Sequence, residues 1–120
     1  MARYVDGYVL PIPKKNVAAY KKMATVAARV WRDHGALEYR ECVGDDMNPG
    51  MGVPFTKLAD VKRGETVVFA WIVYKSRAHR DRVNAAVMKD ERMLQYCSAK
   101  EHPFELGRMA WGGFKVFVAR

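Results

Sequence analysis

The sequence has few cysteines and no residue pattern that is typical of a metal site. Cys42 and Cys97 are far apart and belong to no Cys-x-x-Cys or Cys/His arrangement, which argues against a structural zinc site. His34, the Asp45-Asp46 pair and His102 also lack ligand spacing. We therefore expect no metal and no cofactor, and we interpret both cysteines as free thiols that serve as small core residues.

Long hydrophobic segments are lacking as well. The apolar run Val67 to Val73 has seven residues, far fewer than the roughly 20 that a membrane-spanning helix needs. The N-terminal residues 1–8 do not resemble a signal peptide, and neither a glycine-rich phosphate loop nor a serine-nucleophile motif is present. These absences predict a cytoplasmic protein without a membrane partner.

The composition is that of one ordinary globular domain. The chain has 120 residues, of which 50% are hydrophobic and 28% are charged, so we expect a single domain over residues 1–120. The net charge is +8, but it is spread along the chain and mixed with acidic residues. A basic domain attracts nucleic acid, so RNA binding is kept as an alternative function, although no aromatic-basic strip or RNA-binding motif is present.

Hydrophobic periodicity predicts the element order β-α-β-β-α-β. Strands are expected at 3–10, 36–44, 65–74 and about 109–118, and helices at 16–34 and 76–91. This order is the ferredoxin-like plan of an α+β sandwich, with a four-stranded antiparallel sheet and both helices on one face. Residues 93–107 are expected to be irregular, and Pro11 and Pro13 are expected to end the first strand.

Local signals mark several boundaries within this plan. Asn16 and Ser76 are suited to begin the two helices, and Gly35 is suited to end the first in a left-handed conformation. In the second helix, Ala78, Val83, Ala86 and Val87 are expected to point inward. The long connection at 45–64 contains Phe55, Leu58 and Val61 at a spacing of three, which predicts one helical turn. The Gly112-Gly113 pair in the last strand suggests a bulge or a close backbone approach.

The third strand is apolar on both faces. Val67, Phe69, Trp71 and Val73 alternate with Val68, Ala70, Ile72 and Tyr74. In a ferredoxin-like protomer the helices cover only one of these faces, and an exposed apolar surface of this size normally marks an interaction site. The chain has no spare helix for the second face, so we expect a symmetric homodimer in which two sheets face each other.

Four stretches match a known family and together span most of the chain. They are YVDGYVLPIPKKN (4–16), VWRDHGALEYRECVGDD (30–46), ETVVFAWIVYKSRAHRDRVNAAVMKD (65–90) and PFELGRMAWGGFKVFV (103–118). On these stretches the chain resembles the YbaA-like family of the dimeric α/β-barrel superfamily. The resemblance implies a ferredoxin-like protomer whose sheet pairs with a second sheet to close a barrel, but it brings no established activity.

The cluster after the third strand is a candidate anion site. Arg77 and Arg80 fall in the first turn of the predicted second helix, where free backbone N–H groups attract anions and the helix dipole disfavours cations. The two arginines are therefore candidates to bind a phosphate or a carboxylate. The plain alternative is that they form a solvated helix face or salt bridges across the dimer.

Related barrels suggest a second kind of site. Haem-degrading monooxygenases of the superfamily use a tryptophan in the barrel and a histidine near the start of the second helix. Trp71 and His79 stand in a loosely similar order, but no matching family motif surrounds them. A core tryptophan and a surface histidine are the plain alternative, and His79 is kept as a weak catalytic candidate.

The first strand carries the third candidate site. If Val5, Gly7 and Val9 pack under the helices, Asp6 and Tyr8 point into the barrel, where an apolar environment would raise the pKa of the Asp6 carboxyl and suit it to proton transfer. Glu41 or Arg40 on a neighbouring strand is placed to join it. The plain alternative is an ion pair between Asp6 and an arginine such as Arg40 or Arg108.

Cofactor-independent monooxygenases of the same superfamily bind aromatic substrates in mainly apolar pockets, and this chain offers suitable side chains. The candidates for ligand binding are Tyr8, Arg40, Phe69, Trp71 and Trp111. We therefore expect a homodimer that binds a small molecule between its sheet and helices, with oxygenase-like chemistry as an extension. The 45–64 loop is expected to cover the pocket, and a dimeric domain without a ligand is the third alternative.

Overall fold

The computed structural model describes residues 2–97 and 102–120, within which the chain forms four strands and four α-helices. In chain order these are β1 (Tyr4–Pro13), α1 (Val17–Asp33), β2 (Glu38–Val43), α2 (Phe55–Leu58), β3 (Glu65–Tyr74), α3 (Arg77–Val87), α4 (Glu91–Cys97) and β4 (Ala110–Lys115). Short 3-10 turns precede α1 at Lys14–Asn16 and β4 at Leu106–Arg108.

The sheet has the order β2-β3-β1-β4, and all its neighbouring strands are antiparallel. This confirms the α+β, ferredoxin-like prediction for the protomer. The two central strands are the long ones, since β1 and β3 pair along ten residues each, from Tyr4 opposite Tyr74 to Pro13 opposite Glu65.

The first strand does not end where the sequence predicts. It continues through Pro11 and Pro13 because both residues remain paired with β3. The pairing of β1 with β4 stops at Val9 opposite Ala110, so beyond that point one edge of β1 has no neighbouring strand. A proline lacks only the N–H group, and on a free edge this loss breaks no ladder hydrogen bond.

The set of β1 residues that faces the helices is the opposite of the set considered from the sequence. The helix face consists of Tyr4, Asp6, Tyr8, Leu10 and Ile12 of β1 and of their partners in register, among them Tyr39, Glu41, Val68, Ala70, Ile72, Tyr74 and Trp111. The open face carries Val5, Val9, Arg40, Phe69, Trp71, Val73 and Phe114. The premise that Val5, Gly7 and Val9 pack under the helices was therefore wrong.

The first helix presents an apolar stripe to the helix face. Tyr20, Ala24, Ala27, Val30 and Trp31 are buried, and they pack into two clusters with Leu10 and Ile12 at one end of the sheet and Ile72 and Tyr74 at the other. Gly35 follows α1 with a φ angle of 114°, which agrees with the predicted left-handed backbone conformation at this position. Asn16 precedes the helix, but its side chain donates to the Pro103 carbonyl at 3.0 Å instead of capping it.

The second predicted helix begins where expected but differs in its inward face. Ser76 caps α3 by accepting a hydrogen bond from the His79 N–H at 3.1 Å. Val83 and Val87 are buried as predicted, whereas Ala78 is exposed and the side chain of Arg80 turns inward. The helix ends at Val87, and α4 occupies part of the stretch that was expected to be irregular.

The 45–64 connection contains the predicted turn as α2, and it lies against the open face. The ring of Phe55 contacts Phe69 at 5.8 Å between centroids, so this part of the loop does not cover the space between sheet and helices. Cys42 is exposed rather than buried, because its position on β2 points to the open face. The side chain of Cys97 lies outside what the structure describes.

Candidate functional site

A cavity of about 580 Å³ lies between the helix face and helices α1, α3 and α4, and the segment before β4 closes one side. Its walls are mainly apolar and aromatic, and four methionines contribute to them: Met23, Met88, Met93 and Met109. The polar side chains that reach it include Glu41, Asn84 and His102. The volume falls in the range of small-molecule sites, which is roughly 300–1,000 Å³.

Six of the aromatic side chains that line the cavity form three contacting pairs. Tyr8 stacks on Trp111 with centroids 5.9 Å apart and an interplanar angle of 13°. Tyr20 meets Phe104 edge to face at 5.5 Å, and Trp31 meets Tyr39 at 5.9 Å with a tilt of 47°. Ring pairs at these distances attract one another, so the pairs stabilise the aromatic walls of the cavity.

Glu41 supplies the carboxyl group of the cavity. The Tyr20 hydroxyl donates to its Oε1 at 2.8 Å, and the Tyr39 hydroxyl donates to its Oε2 at 2.7 Å. Burial raises the pKa of the Glu41 carboxyl, and the two phenol hydrogen bonds oppose this shift. Burial also raises the pKa of both tyrosines, and the neighbouring Glu41 charge adds to it. Both therefore remain neutral donors, and Glu41 is the group suited to exchange a proton with a bound molecule.

A smaller groove of about 400 Å³ between α1 and β2 shares this carboxyl. Tyr20, Tyr39 and Glu41 line both spaces and form the wall between them. Lys21 borders the groove with an exposed side chain. In the part of the chain that the structure describes, no ion pair joins Lys21 or any other basic side chain to Glu41.

Asp6 is fully buried and belongs to a separate cluster. Its Oδ1 lies 3.3 Å from Arg80 Nη1 without hydrogen-bond alignment, and its Oδ2 accepts a long bond of 3.4 Å from Asn84 Nδ2. Burial raises the pKa of the Asp6 carboxyl, and the Arg80 charge acts against it. The partners considered from the sequence were wrong, because Arg40 contacts Glu38 at 3.5 Å and Arg108 contacts Glu65 at 2.7 Å.

Asn84 connects this cluster to the cavity wall. Its Oδ1 accepts hydrogen bonds from Trp31 Nε1 at 3.0 Å and from the Tyr74 hydroxyl at 3.1 Å, while its Nδ2 donates to Asp6. Asn84 and Trp31 line the cavity, whereas Asp6 does not. The acid on β1 therefore supports the wall through Asn84 and does not itself face the cavity.

The ligand-binding candidates from the sequence are divided between the two faces of the sheet. Tyr8 and Trp111 line the cavity together, while Phe69, Trp71 and Arg40 lie on the open face. The structure thus brings two of the five together in a pocket and places the other three on a different surface.

The remaining candidates do not assemble into one site. His79 is held by the backbone, since its Nδ1 accepts from the Lys75 N–H at 3.0 Å, and its ring contacts Tyr74 on the helix face. Burial lowers the pKa of the His79 imidazole. Trp71 lies on the other face of the sheet. Arg77 is exposed, but Arg80 is turned away from it and has its Nε 3.0 Å from Asp81.

Sequence reasoning missed Tyr20 and Tyr39 as the partners of Glu41. One signal was present: Glu41 occupies an inward position in the alternation Leu37, Tyr39, Glu41, Val43, where an unpaired carboxyl is costly. Tyr20 lies 21 residues earlier on α1, and no local pattern links a helix position to a strand position at that distance.

Two further observations on the described residues concern metal-ligating side chains and membrane-spanning helices. No three His, Cys, Asp or Glu side chains within residues 2–97 and 102–120 come together in a way that would hold a metal ion. None of the helices there is long and apolar enough to cross a membrane.

The chain is similar in sequence to a family of unknown function and to two bacterial relatives. A family model described as "Protein of unknown function (DUF1428)" matches residues 3–106. The chain is 36% identical over 116 residues to the uncharacterized protein YbaA of Escherichia coli K12, and the match covers 97% of each protein. The YbaA protein of Shigella flexneri matches to the same extent.

Among solved structures, the chain resembles the crystal structure of a dimeric ferredoxin-like protein from an uncultured marine organism. That match has a TM-score of 0.58 at 13% identity and covers 100% of both chains. This structural match agrees with the observed fold. The family model and the E. coli relative show the family to which the chain belongs. The predicted YbaA-like resemblance is confirmed, and the chain belongs to the DUF1428 family.

Proposed function

We propose that the protein binds a small molecule in the cavity between its sheet and helices, and that Glu41 exchanges a proton with it. The observation that carries this proposal is a carboxyl group held by two tyrosine hydroxyls at 2.8 and 2.7 Å in an aromatic cavity of about 580 Å³. A carboxyl with a raised pKa and fixed orientation is suited to general acid–base work.

A cavity-filling variant tests whether the space is used. Ala70 lines the cavity floor on β3, and Ala70→Leu would occupy part of that space. We expect a native mass spectrum of the freshly purified parent to show a reproducible small-molecule increment that is lost in Ala70→Leu. Ala110→Leu is the matched control, because Ala110 lies on the open face, and it is expected to retain the increment.

The same spectra define the contrary result. An increment that persists in a folded Ala70→Leu protein, as judged by circular dichroism, would place the molecule outside the cavity. An increment absent from the parent, together with no binding of added aromatic probes, would contradict the proposed function.

We also propose that a second copy of the chain covers the open face to form a homodimer. Phe114 is 62% exposed there and Phe69 is 41% exposed, and the similar marine protein is described as dimeric. Phe114→Glu would place a charge in this apolar surface and is expected to convert the dimer to a monomer at micromolar concentration in analytical ultracentrifugation. Met88→Glu, at a comparably exposed apolar position directly after α3, is the control; a monomeric parent would refute the dimer.

RNA binding stays an alternative prediction. RNA binding would depend on exposed basic residues such as Arg77, but Arg80, the second arginine of the predicted anion site, is engaged by Asp6 and Asp81. This engagement makes the cavity the better-supported site. A cytoplasmic location likewise stays a prediction.

A further inference from the structure

The cavity has an unusual charge balance for this protein. The chain carries 21 Lys and Arg residues against 13 Asp and Glu, yet the described residues that line the cavity include Glu41 and neither a lysine nor an arginine. Among the described residues, no lysine or arginine side chain lines this space, while a carboxyl is directed into it. Such a lining disfavours phosphates and carboxylates as ligands.

Glu41 also differs from the other acids that are removed from solvent. Asp6 has Arg80 at 3.3 Å, Glu65 has Arg108 at 2.7 Å, and Asp90 has His34 at 2.8 Å and Arg92 at 2.9 Å. Glu41 has only the neutral hydroxyls of Tyr20 and Tyr39. Because charges removed from water are normally paired with a counter-charge, the Glu41 carboxylate is suited to bind a cation.

The aromatic walls suit the same charge. Ring faces attract cations through their quadrupole, and tyrosine and tryptophan do so more strongly than phenylalanine. Four tyrosine and tryptophan rings line the same cavity as the carboxyl: Tyr8 and Trp111 as a stack, and Trp31 and Tyr39 as a tilted pair. A carboxylate among such rings is the arrangement that binds substituted ammonium groups.

We infer that the ligand of this cavity is an organic cation, whose ammonium group lies against the Glu41 carboxylate and the neighbouring ring faces while its apolar part fills the methionine-lined remainder. This inference rests on the proposed function, since it assumes that the cavity binds a small molecule. It adds the chemical class of the ligand and excludes anionic molecules.

The affinity for such a cation should depend on pH in a defined direction. The groups that face Glu41 are Tyr39 on its own strand, Tyr8 on β1, and Tyr20 and Lys21 on α1, while Tyr96 and His102 line the cavity farther along. The pKa of the Glu41 carboxyl is raised, so its charge is complete only above that pKa. A permanently charged ligand is therefore expected to bind well at pH about 8 and to weaken as the pH falls through the pKa of Glu41.

Three matched probes test the inference. They are phenethyltrimethylammonium, the neutral analogue that has a tert-butyl group in place of the trimethylammonium group, and phenylpropanoate as the anion. Binding is followed by tryptophan fluorescence, because Trp31 and Trp111 line the cavity. We expect the cation to bind the parent at least about tenfold more tightly than the neutral analogue, and the anion to bind more weakly than both.

Two variants separate the charge from the fold. Glu41→Gln keeps the size of the side chain and an oxygen that accepts from a tyrosine, and it is expected to bind the cation and the neutral analogue equally. Glu38→Gln is the matched control on the opposite face of the same strand and should keep the preference. If Glu41→Gln fails to fold, the pH dependence of the parent provides the same comparison.

The outcomes distinguish this inference from the proposed function. Equal binding of the cation and the neutral analogue, or a preference that survives Glu41→Gln, would overturn the cationic ligand and leave the pocket in place. Preferential binding of phenylpropanoate would also overturn it. If none of the three probes binds and the cavity-filling variant changes nothing, the proposed function fails as well.

Discussion

Replacement of Arg80 by methionine is expected to lower the free energy of unfolding by about 3–5 kcal/mol, because it leaves a buried charge without its partner. The Asp6 side chain has 0% exposure and that of Arg80 has 12%, and their charged atoms are 3.3 Å apart. Without Arg80, Asp6 keeps the 3.4 Å bond from Asn84 and its contact with the Tyr74 hydroxyl, both of which are neutral groups. Urea unfolding followed by circular dichroism measures the change.

The destabilisation should depend on pH through Asp6. Its pKa in the folded protein is raised above the ordinary value, so the folded state binds the proton more tightly than the unfolded chain. The ionised form thus costs folding free energy, and the stability that protonation provides is lost as the pH rises through the folded pKa. Removing Arg80 takes away an opposing effect and raises this pKa further. The deficit of Arg80→Met should therefore be smaller at pH about 4 than at pH about 8.

Two comparisons make this prediction specific to the ion pair. Arg82→Met removes an exposed arginine from the same helix and is expected to change stability by no more than about 0.5 kcal/mol. Asp6→Asn combined with Arg80→Met should recover a large part of the loss, since no buried charge then remains. A deficit that is equal at both pH values and is not relieved by Asp6→Asn would show that Arg80 acts only through packing.

The sequence was sufficient to predict the fold because its strongest signals are local and periodic. β3 lies at the residues predicted from its unbroken apolar run, and Ser76 and Gly35 mark helix ends through their own hydrogen bonding and backbone conformation. Residues 67–74 are apolar on both faces, which predicts a covered second face from the sequence alone, and this part stays a prediction. Each of these signals depends on residues within a few positions of one another.

The orientation of β1 could not be obtained in the same way. Its two faces carry Tyr4, Asp6 and Tyr8 or Val5, Gly7 and Val9, and the second set has no charge and therefore looked more suitable for the core. The first set is inward because Arg80, 74 positions after Asp6, brings a counter-charge from α3. The candidate site was misjudged for the same reason: Phe69 and Trp71 are attractive residues, but the register of β1 and β3 places them opposite the cavity.

Replacement of Gly113 by alanine is expected to destabilise the protein by about 2–3 kcal/mol, although alanine suits a strand better than glycine. Gly113 does not have a positive φ angle, so its backbone does not require glycine. The requirement comes from Tyr4, whose ring lies directly over it. A β-carbon on Gly113 would lie 2.6 Å from Cε2 and 2.8 Å from Cζ of that ring, which is closer than carbon atoms approach.

The neighbouring glycine provides the control for this effect. A β-carbon on Gly112 would have as its nearest neighbour the Cε1 atom of Phe114 at 4.0 Å, so Gly112→Ala should be neutral or slightly stabilising in the same urea titration.

Tyr4 also supports Arg80, whose guanidinium carbon lies 5.1 Å from the ring centroid. Displacement of Tyr4 by Gly113→Ala would therefore disturb the Asp6–Arg80 pair. Tyr4→Leu combined with Gly113→Ala should cost less than the sum of the two single changes, because the overlap is then removed. Equal stability of the two alanine variants would show that the Tyr4 ring can move aside without cost, and that the glycine pair is not fixed by this contact.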